Sequence, residues 1–365
     1  MNEEVISNKQ GIFIISLFVM GSSMILTTAG EAKKDIWIAL ILSILSALPI
    51  VLVHARLQTL FPKKDLYDIL EFVLGKFIGK GICILFVWFS FFLSGLVLRV
   101  FGDFIYVVAL PETPEIIPMI LTGVLSICIV REGIKVIGKW SEFFFIVIII
   151  LLMIVFLLLI EKIDINNLRP LFNEDLNLVI EASFHAFIFP FTQTIIFTTV
   201  FSTFDKKAYY KVYTRGLLIG WIILFIFSVN DILILGVTVS GNMYFPSYAS
   251  VRLLEIGAIS AGFEIIIAVA FLIAGFIKVS MCLLSTCNGI AKTFGCDDYR
   301  FLVTPVGLMI ISLSYFIHDS VMEKSKFALD VYPFYALPFQ VILPILVLVI
   351  AEIKKKQLED HLNKI

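Results

Sequence analysis

The chain has 365 residues, 60% of them hydrophobic and only 16% charged, with a mean hydropathy of +1.02 and a net charge of −1. Soluble domains carry about 25% charged residues, so this composition excludes a soluble globular protein and leaves an all-α polytopic membrane protein in a single integral domain, residues 1–365. The near-zero net charge gives no indication of a nucleic-acid partner; the expected surroundings are the lipid bilayer.

A membrane-crossing helix needs about 20 apolar residues. Ten candidate spans satisfy this approximately, at 12–30, 35–55, 81–109, 114–130, 141–160, 179–203, 214–239, 264–290, 302–317 and 334–351. The first could be mistaken for a cleaved signal because Thr28-Ala29-Gly30-Glu31-Ala32 follows an apolar run. Its leader carries Glu3 and Glu4 instead of a basic region, so a retained helix is expected. This span is interrupted at Met20-Gly21-Ser22-Ser23. A backbone break at membrane depth persists only where protein or a solvated cavity covers the freed N–H and C=O groups. Gly21 permits close approach, and Ser22 and Ser23 add hydroxyls. A half-helix after them would offer its N-terminal N–H groups to a carboxylate; the alternative is that both serines bond back to their own helix.

Between spans 2 and 3, Leu66, Ile69, Leu70, Val73, Leu74 and Phe77 follow helical spacing, which predicts a short helix lying in the membrane interface. In span 3, Arg99 and Asp103 stand four apart and form either a structural pair or an outer gate with Asp231 or Glu264. The polar segment 161–177 divides the ten spans into two sets of five, about 10–160 and 178–352, followed by a short tail, 353–365.

The sixth span repeats the interruption of the first, at Phe189-Pro190-Phe191. Pro190 lacks an N–H and clashes with the preceding turn, which frees carbonyls near Ala186 and Phe187 to meet an ammonium or a cation. Paired breaks in two halves point to a binding site at the bilayer midplane. Together these groups describe a site for a zwitterion, with a small amino acid as the natural guest. Glu181 and His185, four apart before the break, could form a proton relay or an enzyme base, but no nucleophile or second catalytic group stands at matching spacing, so no enzyme is expected.

Between spans 7 and 8, Tyr244-Phe245-Pro246-Ser247-Tyr248 leads into Arg252 and Glu255, as an outer cap or a plain connecting helix. Lys278 in span 8 lies roughly 21 Å from Glu264 and 15 Å from Asn288 along a helix, close to the midplane. An intramembrane lysine is a functional candidate by default. It could supply a fixed charge in place of a metal ion, pair with a ligand carboxylate, or snorkel to the cytoplasmic edge. The five cysteines show no metal or redox spacing, and neither metal nor cofactor is expected.

Basic residues orient the chain. With the N-terminus inside, 19 of the 28 Lys and Arg fall in cytoplasmic segments and seven on the opposite side. Both termini are therefore expected in the cytoplasm. Five spans is an odd number, so the second set would insert upside down relative to the first, as an inverted repeat requires.

The segment Asp164-Ile165-Asn166-Asn167-Leu168-Arg169-Pro170 resembles the signature before the sixth span of the spore germination permease family, the B subunits of nutrient germinant receptors. Leu74-Gly75-Lys76-Phe77-Ile78-Gly79, Arg99, and Asn288-Gly289-Ile290-Ala291-Lys292-Thr293-Phe294-Gly295 agree with it. The resemblance implies the amino acid, polyamine and organocation superfamily and its leucine-transporter-like 5+5 inverted repeat, with helices 1 and 6 broken. It also implies the spore inner membrane, an A subunit and a lipoprotein C subunit as partners, and Phe89 and Leu93 facing the cavity from span 3. Where many members read Pro-Phe-Gly-Glu after the sixth-span break, this chain has Pro190-Phe191-Thr192-Gln193, and where the first-span motif is often Gly-x-Gly it has Gly21-Ser22-Ser23. The expected function is a germinant-receptor B subunit sensing a small nutrient such as an amino acid. The alternative is an amino acid secondary transporter, proton-coupled or ion-independent. The expected ligand-binding residues are Gly21, Ser22, Ser23, Phe89, Leu93, Phe187, Phe189, Pro190, Gln193 and Lys278.

Overall fold

The computed structural model describes residues 6–354 except 110–111, 203, 205 and 255–261. Glu255 and the tail beyond Lys354 therefore lie outside the described residues. Within them the protein is helical, with no strand. Seven segments are long and apolar enough to cross a bilayer: Gly30–Leu60, Lys76–Val108, Ile134–Lys162, Leu176–Thr198, Ala208–Asn242, Glu264–Phe294 and Val321–Ile353. Three shorter apolar helices accompany them: α1 (Asn8–Met20), α5 (Ile116–Glu132) and α12 (Arg300–Phe316).

The chain opens with Ser7 and Gln10 capping α1 reciprocally, side chain to backbone in both directions, which satisfies two otherwise orphaned N–H groups. α1 stops at Met20, where Gly21 leaves helical geometry, and one 3₁₀ turn follows over Gly21–Ser23. From there to α2 (Ile36–Leu60) the backbone runs through turns and the 3₁₀ segment Gly30–Asp35. The expected half-helix after the first break is thus absent: only a single 3₁₀ turn stands there, and the chain does not regain an α-helix before Ile36. Ser23 O accepts from Leu26 N in a turn, so the local hydrogen bonds close without a helical ladder.

The short helix expected between spans 2 and 3 is α3 (Leu66–Leu74), started by the Asp65 carboxylate accepting from the Asp68 amide and ended by Gly75 at φ +84°. That turn places Phe77 in the next helix, α4 (Lys76–Phe104), where it is 94% exposed instead of continuing the α3 apolar face. After α5 and α6 (Ile134–Leu159), the connector folds into short 3₁₀ turns before α7 (Leu176–Ile188). The sixth span breaks at Phe189 and Pro190, resumes as a 3₁₀ turn over Phe191–Thr194 and ends as the four-residue α8 (Ile195–Thr198).

α9 (Lys206–Asn242) is bent where Gly236 takes φ +71°. It packs along α1 through Gly216 and Gly220, where an added methyl would come within 2.6 Å of Ile15 and 2.8 Å of Val19. Small residues at this spacing let helix backbones approach closely in a bilayer. α10 (Pro246–Arg252) packs on α9 and α11, and α11 (Glu264–Phe294) runs against α4, α1 and the first break. The last span comprises α13 (Val321–Lys326), α14 (Tyr332–Leu337) and α15 (Leu343–Ile353), joined by π-helical turns over Phe327–Val331 and Pro338–Ile342.

Candidate functional site

The two interruptions come together beside Lys278. The stem of Lys278 lies directly on Gly21, so close that a Cβ there would stand 2.6 Å from its Cδ. Its Nζ sits 4.6 Å from the centre of the Phe189 ring and 5.0 Å from that of Phe18. Lys278 is fully buried, which excludes snorkelling, and its Nζ has no hydrogen-bond partner among the described residues. Two aromatic faces offset part of the cost of an ammonium in this position, but they do not satisfy its three N–H donors.

Oxygens in and just after the two breaks are also left open among the described residues. Ser22 Oγ, Ser23 Oγ and Gln193 Oε1 are buried without a partner, so neither serine bonds back to its own helix. The other end of the Gln193 amide is fixed, with Nε2 donating to Tyr332 Oη at 2.6 Å. Of the carbonyls expected to be free near the sixth-span break, that of Phe187 is occupied: Thr192 Oγ1 donates to it at 3.0 Å and lies 2.6 Å from Gln340 Oε1. The Pro190 side chain is buried at the turn. Phe89 on α4 stacks on Phe339 at 5.0 Å and tilts against Tyr335, and Tyr332 meets Phe189 edge-on. Leu93 is buried one turn from Phe89. Gly21 and Phe189 thus meet at Lys278, Ser22 and Ser23 follow Gly21 in the same turn, and Gln193 is linked to Phe189 through Tyr332. Phe89 joins them through the aromatic column of the last span, and Phe187 contributes only backbone.

The last span supplies what sequence reasoning missed. Tyr332 and Gln340 point into the sixth-span break, and His54 on α2 bridges the two elements, Nδ1 to Thr194 Oγ1 at 3.0 Å and Nε2 to the Gln340 carbonyl at 2.9 Å. Their signal was Pro333, Pro338 and Pro344 within one span, which goes with its π-helical turns; such turns are frequent at functional sites. His185 pairs with Glu31 at 3.5 Å instead of Glu181, because the irregular chain after the first break brings Glu31 alongside α7.

On the side of Lys278 toward α3, hydrogen bonds join α3, α4, α8 and α11. Thr199 Oγ1 donates to Ser285 Oγ at 2.7 Å, Ser285 meets Ser90 at 2.8 Å, and Tyr67 Oη donates to the Ser285 carbonyl. Asn288 Nδ2 donates to the Thr199 carbonyl and to Asp65 Oδ2, while Lys292 pairs with Asp68 at 2.8 Å. Burial, and then the adjacent Asp68 carboxylate, push Asp65 up to about 6 against the pull of Lys292 and the bonds from the Asp68 amide and Asn288. Arg99 Nε donates to Asp103 at 2.8 Å, as the spacing predicts. Arg99 also reaches Glu115 at 2.9 Å, and Lys324 pairs with Asp103 at 2.7 Å. Asp231 takes no part in that cluster.

Residues 5–321 match the sequence profile of a family described as spore germination protein. The chain belongs to the spore germination permease family. This family member is 28% identical over 98% of its length, and 98% of the relative's, to spore germination protein KB of Bacillus subtilis. Its fold is similar to that of Mhp1, a nucleobase-cation-symport-1 family transporter solved in a closed conformation with bromovinylhydantoin. The TM-score is 0.66 at 12% identity, covering 88% of this chain and 74% of that one. It is also similar to a manganese transporter from Eremococcus coleocola, with a TM-score of 0.60 at 14% identity over 93% and 78% of the two chains. The spore germination permease is therefore a multi-pass membrane protein of transporter fold, and its family and fold are those of permeases and transporters, not enzymes.

Proposed function

We propose that the protein is the B subunit of a germinant receptor, binding a small nutrient such as an amino acid between the two breaks. The observation that carries this reading is the buried Lys278 ammonium, unpartnered among the described residues and placed against both interruptions at Gly21 and Phe189. A ligand carboxylate would satisfy Lys278 and accept from the Ser22 and Ser23 hydroxyls, and a ligand ammonium would donate to Gln193 Oε1. Phe18, Phe189 and Tyr332 exclude water and limit the guest to a small side chain. The lysine stands where a bound cation would otherwise supply positive charge, so the site needs no metal. Binding exchanges several unsatisfied groups for charge-assisted hydrogen bonds in one of two arrangements of the spans. This differential is what shifts a conformational equilibrium, and the shift is passed to an A subunit and a lipoprotein C subunit in the spore inner membrane.

Counting the three shorter helices as crossings gives ten, five before and five after the connector, and we read these as an inverted repeat with both termini in the cytoplasm. The transporter fold favours a second reading, a secondary amino acid transporter using the same pocket. At the break, Gln193 replaces the carboxylate of many relatives and its amide is tied to Tyr332, so this position offers no titrating group to trade a proton with the ligand. This supports sensing over proton-driven uptake.

The test is deletion of the gene, with nutrient-triggered spore germination and radiolabelled amino acid uptake in proteoliposomes measured side by side. Loss of germination is expected; normal germination with lost uptake overturns the sensor in favour of the transporter. At the site, Lys278→Met should weaken the nutrient response on the order of 100-fold while the protein still reaches the membrane. A fully responsive variant removes Lys278 from the site.

A further inference from the structure

A second buried charge has no counter-ion. Asp231 on α9 is fully buried within the membrane-spanning stretch, and its carboxylate is held only by hydroxyls. Oδ2 accepts from Ser247 Oγ at 2.6 Å and from Thr27 Oγ1 at 2.9 Å, and Oδ1 accepts from Ser250 Oγ at 3.0 Å. These hydroxyls come from two different elements, the irregular chain after the first break and helix α10. Beside the cluster the Asn230 Nδ2 is buried without a partner, and five residues along α9 the helix bends at Gly236. Backbone irregularity at membrane depth marks a place where something polar is accommodated.

No charged side chain among the described residues pairs with Asp231. On the elements packed against α9, Lys9 of α1 bonds Glu142, and Arg56 of α2 bonds Glu352. In the segment Gly30–Asp35, Glu31 faces His185, Lys33 faces Glu174, Lys34 donates to the Arg169 carbonyl, and Asp35 accepts from the Phe172 and Glu174 amides. Asp164 caps the turn Ile165–Leu168, Arg169 is exposed beyond it, and on α10 Arg252 is exposed while Tyr248 packs edge-on against Phe104. His54 is engaged by Thr194 and Gln340.

We propose that Asp231 is a proton-binding site, separate from the ligand pocket, that takes up and releases one proton beneath α10. The hydrogen-bond network accommodates both forms. Ser250 Oγ lies 3.0 Å from Asp231 Oδ1 and also 3.1 Å from the Ser247 carbonyl, but it has one O–H and cannot donate to both. With Asp231 ionised, Ser250 donates to the carboxylate. With a proton on Oδ1, the carboxylic acid donates to Ser250 Oγ, and the Ser250 hydroxyl turns to the Ser247 carbonyl. One hydroxyl rotation thus absorbs one proton without leaving a buried donor or acceptor open at these atoms. Thr27 Oγ1 has a second neighbour of the same kind in Ser240 Oγ, at 3.4 Å. A metal ion fits poorly, because it would need the hydroxyl oxygens and the carboxylate turned toward one point. The observed distances are instead those of hydroxyls donating to the carboxylate. The protonation state of Asp231 therefore sets how α10 and the irregular chain after the first break are held to α9.

The full-length protein, reconstituted in lipid nanodiscs without nutrient, tests this by infrared difference spectroscopy across a pH titration. The expected result is a protonated-carboxyl band that appears on acidification and is lost in Asp231→Asn, which is close in shape and has no ionisable group. A band unchanged in Asp231→Asn overturns the proposal, as does the absence of any titrating buried carboxyl. Ser250→Ala keeps the carboxyl but removes the group that takes its proton, so the band should move in frequency; an unmoved band also overturns it. If sodium chloride abolishes the band at constant pH where choline chloride does not, the carboxylate is a metal ligand and the proposal fails. No readout involves nutrient binding, so failure here is distinguishable from failure of the receptor reading.

Discussion

Arg99, Asp103 and Lys324 form one buried cluster with the half-buried Glu115, and Lys278 is a second buried charge, without a counter-charge among the described residues. In the cluster both Asp103 oxygens are matched, one to Arg99 and one to Lys324, and Arg99 extends to Glu115 and the Tyr315 carbonyl. These contacts tie α4 to the start of α5, the end of α12 and the head of the last span. At Lys278 the stem is packed as tightly, against Gly21, yet the ammonium meets only aromatic faces. Taking a charge out of water costs several kcal/mol wherever it is buried. In the cluster the folded chain itself supplies the compensation. At Lys278 the described residues supply only aromatic faces, the contrast on which the proposed binding role rests.

Substitutions can break this contrast. Asp103→Ala leaves Arg99 and Lys324 facing each other without an anion between them and should cost about 3–5 kcal/mol, read as a large drop in the thermal unfolding midpoint of the purified protein. Gly21→Ala drives a methyl into the Lys278 stem and should cost about 1–3 kcal/mol through overpacking. It should also displace the ammonium, so nutrient response and stability fall together. Asp65→Asn probes the bonds on the α3 side of Lys278. The folded state raises Asp65 from 3.8 to about 6, so it binds the proton more tightly than the unfolded chain does. The corresponding stability is complete below about pH 4 and is lost as pH rises through about 6. Asp65→Asn should remove that slope, a change on the order of 3 kcal/mol across the window; an unfolding profile with the same pH dependence as the parent protein would contradict it. The smallest effect is the sharpest test: Lys278→Met, for all its loss of response, should leave the unfolding midpoint unchanged or raised, because it removes a charge the fold does not neutralise. A destabilised Lys278→Met protein would place the lysine with the structural charges.

The sequence shows both breaks for a local reason. Gly, Ser and Pro weaken a helix wherever they stand, and Met20-Gly21-Ser22-Ser23 and Phe189-Pro190-Phe191 are surrounded by residues that do not. Lys278 stands out equally, as one charge in an apolar run. The absent half-helix was not legible, because residues 24–29 are apolar enough to propagate a helix and leave it only where α9 and α10 offer other partners, such as Ser228 Oγ accepting from the Thr28 amide. Tyr332, Gln340 and His54 were hidden for a different reason. Isolated polar residues in apolar spans are common, and only the assembled helices bring these three to one turn. Gly236 reads as an ordinary glycine among Ile and Leu until its neighbours are known.

Those neighbours give the connector between the two halves a mechanical role. The carbonyl of Leu233, released by the bend at Gly236, accepts from the Asp164 amide at 3.1 Å and from Asn167 Nδ2 at 2.9 Å. The family signature segment is therefore stitched into the seventh span like a wedge driven into a split beam. Straightening that span would require breaking both of these bonds, so the bend and the connector hold each other in place.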